Sequence, residues 1–171
     1  MICATALGDE LYQFAGEIPI RGEGGWDILT IDSAASRLYL AHGTKVVVVD
    51  LTTLRTVSKI DTGPNPDAVV YEPGHGEVYV FNHTGNSVTV INAKAATVSA
   101  TIQLDGNPEF AAVDEAAGLV YCNVEDKSEV ASLMRPNMKS SRVGPLRREK
   151  NQPASLWTRG IIVCSPVVTI K

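Results

Sequence analysis

Apolar and polar positions along this chain alternate in short runs, and no segment holds a helical period over a window of about eleven residues. Between Ala68 and Leu104 the runs AVVY, EVYVF, SVTVI and VSATIQL are rich in β-branched and aromatic residues. EPGHG, NHTGN and NAKAA separate them and supply the Gly, Pro and Asn that tight turns use. This pattern predicts four short strands joined by hairpins. The longest apolar runs, such as VVVV at Val46 to Val49, are strand-sized, so no membrane-spanning helix is expected.

The pattern recurs. Aligning on Asp27, Asp67 and Glu109 brings GWDILTIDSAASRLYLAH, NPDAVVYEPGHGEVYVFN and NPEFAAVDEAAGLVYCNV into register. Each acid lies twelve residues before a tyrosine (Tyr39, Tyr79, Tyr121) and five before a second acid (Asp32, Glu72, Asp114). A four-stranded unit repeated every 40 to 42 residues is the signature of a β-propeller blade. The expected fold is all-β: a partial β-propeller of about three four-stranded blades in an open fan. The expected boundaries are 22–61 for blade 1, 62–103 for blade 2, 104–130 for a partial blade 3, and 131–171 for a divergent tail. Residues 1–21 are read as carrying the outer strand of a preceding blade, because FAGEIPIRG is similar to TVSKIDTG and TVSATIQLDG.

The acid-led strand, the small turn, the (R/E)(V/L)Y segment and the VxVID-like strand resemble the YVTN-type propeller repeat of the YncE-like proteins over roughly residues 10 to 130. The resemblance implies a seven-bladed exported bacterial parent, periplasmic or secreted, similar in fold to the propellers of lactonases and quinoprotein amine dehydrogenases. Fold alone assigns no function.

Charge divides the chain near residue 130. Residues 1–130 carry 7 Lys and Arg against 18 Asp and Glu, a balance of −11, whereas residues 131–171 carry 8 against 1, a balance of +7. A basic nucleic-acid arm would want interleaved aromatics, and Trp157 is the only aromatic in the tail, so no nucleic-acid partner is expected. Back-translating the tail offers another origin. Under Trp157 to Ser165 a shifted frame permits DxRHHRLF, the pattern of DSAASRLY from Asp32 to Tyr39. The tail is therefore expected to be out of frame and non-native, with a fourth repeat beneath it. Cys3, Cys122 and Cys164 are odd in number and widely spaced, arguing against a disulfide framework or zinc site. The opening MICATALGDE lacks a basic region and an apolar core, so a signal peptide is incomplete or absent there.

Asp27, Asp67 and Glu109 share one repeat position at the start of the innermost strand, where a ring of carboxylates could line one mouth of a central channel and hold a cation or basic ligand. The plainer alternative is that each bonds nearby backbone as a turn former. His42, Asn82 and His83 are placed in loops after the second strand, as candidates for a binding surface, with a solvated turn as the alternative. The three tyrosines are read as packing between blades, and Cys122 as a buried apolar residue. No catalytic triad, phosphate loop or HExxH motif occurs, so no catalytic residue, metal or cofactor is assigned. The leading expectation is a non-catalytic scaffold for an unknown small molecule or protein. The alternatives are a propeller enzyme or redox partner, and a disrupted gene product without function of its own. Open blade edges add self-association as an expected partner mode.

Overall fold

The computed structural model describes residues 14–134 and 139–145. They form three antiparallel sheets of four strands each, in sequence order within each sheet. Blade 1 comprises β1 (Trp26–Asp32), β2 (Arg37–His42), β3 (Lys45–Asp50) and β4 (Arg55–Asp61). Blade 2 comprises β5 (Pro66–Glu72), β6 (Glu77–Asn82), β7 (Ser87–Asn92) and β8 (Thr97–Gln103). Blade 3 comprises β9 (Pro108–Asp114), β10 (Leu119–Val124), β11 (Glu129–Met134) and β12 (Lys139–Pro145). The blades fan out as an open arc, with β1 against β5 and β5 against β9 at its inner rim.

Turn chemistry fixes the hairpins. The second acid of each repeat folds back on its own turn: Asp32 accepts from the Ala35 N–H at 3.0 Å, Asp114 from the Ala117 N–H at 3.1 Å, and Glu72 from the N–H groups of Gly74 and His75. The residue before the next strand then adopts a left-handed φ, +52° at Ser36, +65° at Gly76 and +64° at Gly118, which glycine takes without steric cost.

Period-two alternation sends side chains to opposite flanks of each blade, and each flank packs on a neighbouring blade. Between blades 1 and 2 lie Tyr39, Ala41, Val46 and Val48, facing Val69, Val78, Val80 and Ile91. Between blades 2 and 3 lie Tyr79, Phe81, Val88 and Val90, facing Val120, Cys122, Ala131 and Leu133. Tyr39 and Tyr79 thus pack between blades as expected. Tyr121 is only half-buried, because it points to the flank of blade 3 that no described blade covers.

Two boundaries differ from the sequence reading. FAGEIPIRG, expected as an outer strand, forms no strand, since the described chain offers it no neighbouring ladder. Instead Ile18 and Ile20 pack on Leu38, Val47 and Val49 and cover part of the outer flank of blade 1. Blade 3 does not stop at 130: β11 pairs with β10 from Glu129 to Met134, and β12 pairs with β11. Ala131 and Leu133 alternate with the outward positions and fill the blade 2 interface, so the visible residues satisfy the strand rhythm. The GIIVCSPVVTI run of the tail lies outside the described residues.

Candidate functional site

Each repeat places its first acid at the start of the innermost strand, so Asp27, Asp67 and Glu109 stand on successive blades at one end of the arc's inner rim. Asp27 and Glu109 are exposed, and Asp67 between them is half-buried. Burial chiefly, and then the negative charges of Asp27, Glu109 and Glu125, push the Asp67 carboxyl above its ordinary range, while His83 pulls it down. The three acids therefore share one electrostatic field. Two of them also take local hydrogen bonds: Asp27 accepts from the Ile28 N–H at 3.0 Å, and Asp67 from the Asn65 side-chain amide at 3.0 Å.

His83 joins this mouth. Its Nε2 lies 3.1 Å from a carboxylate oxygen of Glu125, bridging blades 2 and 3, and its backbone N–H donates to the Asn65 carbonyl. Glu125 was not singled out in the sequence, although it occupies the repeat position of Gly43 and His83, one residue past the second strand. The loop carbonyls of Gly25, Asn65 and Asn107 accept from the N–H groups at those three positions, at 3.1, 2.8 and 2.9 Å. That repeated bond sets the depth of the mouth on each blade.

His42 and Asn82 are not loop residues. They end β2 and β6, and both are buried. Asn82 donates to the Thr62 carbonyl and to the hydroxyls of Ser87 and Thr89, and His42 stacks on Trp26 with ring centroids 3.7 Å apart. A glycine of the incoming inter-blade loop presses on each: Gly22 on His42, Gly63 on Asn82, and Gly106 on Val124 at the same position of blade 3. A Cβ at Gly63 would lie 3.0 Å from Asn82 Cγ and would need φ near +138°. These side chains close the top of each blade and present nothing to solvent. Cys122 is buried as expected, and burial pushes its thiol up to about 12, which keeps it protonated.

Among the described residues no three His, Cys, Asp or Glu side chains converge closely enough to hold one metal ion. None of the described helices is long and apolar enough to cross a membrane.

Three sequential four-stranded blades define the chain as an arc of a β-propeller protein. Part of its sequence is similar to the YncE proteins: it is 31% identical over 102 residues to uncharacterized protein YncE of Salmonella typhi and 30% identical to that of Salmonella typhimurium. The match takes in 58% of the chain but 29% of either relative, so the chain spans under a third of their length. No protein-family model matches it. Among solved structures, Kuenenia stuttgartiensis hydrazine synthase superposes with a TM-score of 0.66 at 17% identity, covering 77% of this chain and 38% of that one. The β-propeller domain of Myceliophteria thermophila Cps50 (Swd1) gives 0.60 at 12% identity, covering 80% and 43%. The dihydro-heme d1 dehydrogenase NirN gives 0.58 at 13%, covering 71% and 29%. At these identities the structural likeness establishes the fold alone.

Proposed function

We propose that this chain is a non-catalytic binding arc of an exported propeller, whose acidic mouth takes a basic ligand such as a lysine-rich segment of another protein. The observation that carries the reading is the shared field at Asp67, a half-buried carboxylate whose acidic neighbours Asp27 and Glu109 come from the blades on either side. A cationic ligand relieves that repulsion at three blades at once. Asp67→Asn should weaken binding of an oligolysine peptide by roughly three- to tenfold at low ionic strength, and the wild-type affinity should fall steeply with added salt. Stability should move the other way. A carboxyl raised in the folded state destabilises at pH values above its folded pKa, and that penalty is relieved as pH falls through it and disappears below the unfolded value. The Asn variant should therefore melt slightly higher than wild type at pH 7 and match it in acid. Salt-insensitive peptide binding, or binding unchanged in Asp67→Asn, would overturn the reading.

The reversal of charge near residue 130 supports a second proposal, about the gene. We propose that one or two bases were gained or lost close to the codons for Val130 to Ser132, and that the tail overlies a fourth repeat in another frame. Strand β11 runs through this point with Ala131 and Leu133 buried, an alternation that the shifted reading must reproduce. Sequencing the genomic DNA is expected to give an acid-led, tyrosine-like repeat about 42 residues after the third, which is the blade spacing. A stop codon soon after codon 130 in both alternative frames would refute it and make the basic tail a genuine element.

A further inference from the structure

At the other end of the innermost strands, a cleft of about 370 Å³ opens between blades 1 and 2. Asp32 and Arg37 line it from the β1–β2 turn, Tyr71 and His75 from the β5–β6 hairpin, and Lys94 from the β7–β8 turn. Its size is at the lower end of small-molecule sites, roughly 300–1,000 Å³. Five residues of strand β1 separate Asp32 from Asp27, about 16 Å, so the cleft and the acidic mouth are distinct places.

Arg37 lies between Asp32 and Asp50 in the strand registers, and its charge helps to hold the Asp50 carboxyl low, yet among the described residues it closes no ion pair with either acid. Arg37 donates from Nη1 to the Ala93 carbonyl of blade 2 at 2.5 Å, a bond that ties the blades and that the Tyr39 hydroxyl also makes, at 3.3 Å. A guanidinium has five donors, and among the described residues Arg37 forms no ion pair with a carboxylate, although it is half-buried. Lys94 is exposed at the rim, also without an ion pair among the described residues. The acids nearby are engaged: Asp32 accepts from the Ala35 N–H and faces the Tyr71 phenol, Asp50 accepts from the N–H groups of Thr52 and Thr53 and the Thr53 hydroxyl, and Glu72 holds His75 Nδ1 at 2.7 Å.

The repeats provide an internal control. Arg37 sits opposite Asp32 in the β1–β2 register, and its counterparts are Glu77 opposite Glu72 and Leu119 opposite Asp114. Thr52 stands in blade 1 where blade 2 has Lys94. All three blades fold with these turns, so a blade needs neither cation. We propose that the cleft between blades 1 and 2 is a binding site for a small oxyanion, a carboxylate or phosphate group, which Arg37 receives by a charge-assisted fork and Lys94 caps from the rim.

Equilibrium dialysis of the full chain against labelled inorganic phosphate, and separately against labelled succinate, tests the assignment. Saturable binding of one molecule per chain is expected for at least one probe, and the arm that binds distinguishes phosphoryl from carboxylate. Arg37→Gln and Lys94→Gln should each weaken it by about tenfold, the scale of one charge-assisted contact. Asp67→Asn should leave it within about twofold, since the mouth lies more than a Debye length away. Lys94 is exposed and forms no ion pair among the described residues, so its variant reports on the site even where loss of Arg37 loosens the blades. Absence of saturable binding of either probe, or binding that Lys94→Gln leaves intact, would overturn the proposal.

Discussion

Phe81→Ala is expected to unfold the arc. Phe81 is fully buried in the cluster shared by blades 2 and 3, beside Val88, Val90, Val120 and Leu133. Truncating a buried phenylalanine costs about 3–5 kcal/mol, partly in lost transfer energy and partly in the cavity left behind. A domain of ordinary stability holds only about 5–15 kcal/mol in total. An arc of three blades has no ring closure to redistribute the loss, because each blade touches only its sequence neighbours. Urea unfolding followed by circular dichroism should show a midpoint lowered by more than half, or no folded baseline. A midpoint within a few tenths molar of wild type would mean that the blade 2–3 interface contributes little to stability.

The second large effect concerns the flanks. Among the described residues nothing covers Phe110 and Met134 on the outer side of blade 3, which are 49% and 53% exposed, or Leu29 and Ile31 on the outer side of blade 1, at 51% and 48%. At the repeat positions of Leu29 and Ile31, blade 2 has Val69 and Tyr71, which pack against blade 1. The outer side of blade 1 is therefore built like a surface that receives a blade. Propellers typically close with about four to eight blades and so avoid raw flanks. Chains of this arc should consequently associate, with a sedimentation coefficient that rises with concentration. Introducing charge with Phe110→Lys and Met134→Lys should shift the population toward monomer by about tenfold in the association constant. A single monomeric species at every concentration would contradict this.

Much of the architecture was legible in the chain because a propeller blade is a local object. Its strands pair with their sequence neighbours, so period-two alternation and turn residues sufficed to place β1 to β10, and the acid-to-tyrosine spacing set the blade period. The second acids were legible as part of the repeat, and the structure gives their purpose as hydrogen-bond acceptors inside the hairpin turns. Asp27, Asp67 and Glu109 were legible as one position for the same reason: a strict repeat puts equivalent residues on equivalent points of a common rim.

What the sequence alone did not determine depends on contacts between repeats. His42 and Asn82 are polar and precede turn residues, so one-dimensional reading puts them in loops; the structure ends β2 and β6 on them and brings Gly22 and Gly63, some twenty residues earlier, against them. The strand at Ala131 to Met134 was hidden by the change of charge, which dominates composition but does not enter a ladder of backbone hydrogen bonds. FAGEIPIRG has strand composition, yet a strand needs a partner, and hydrophobic burial on blade 1 decided its place instead. The Arg37–Lys94 cleft joins residues 57 apart that share no motif. It exists because two blades, each locally determined, meet at an angle that neither repeat encodes by itself.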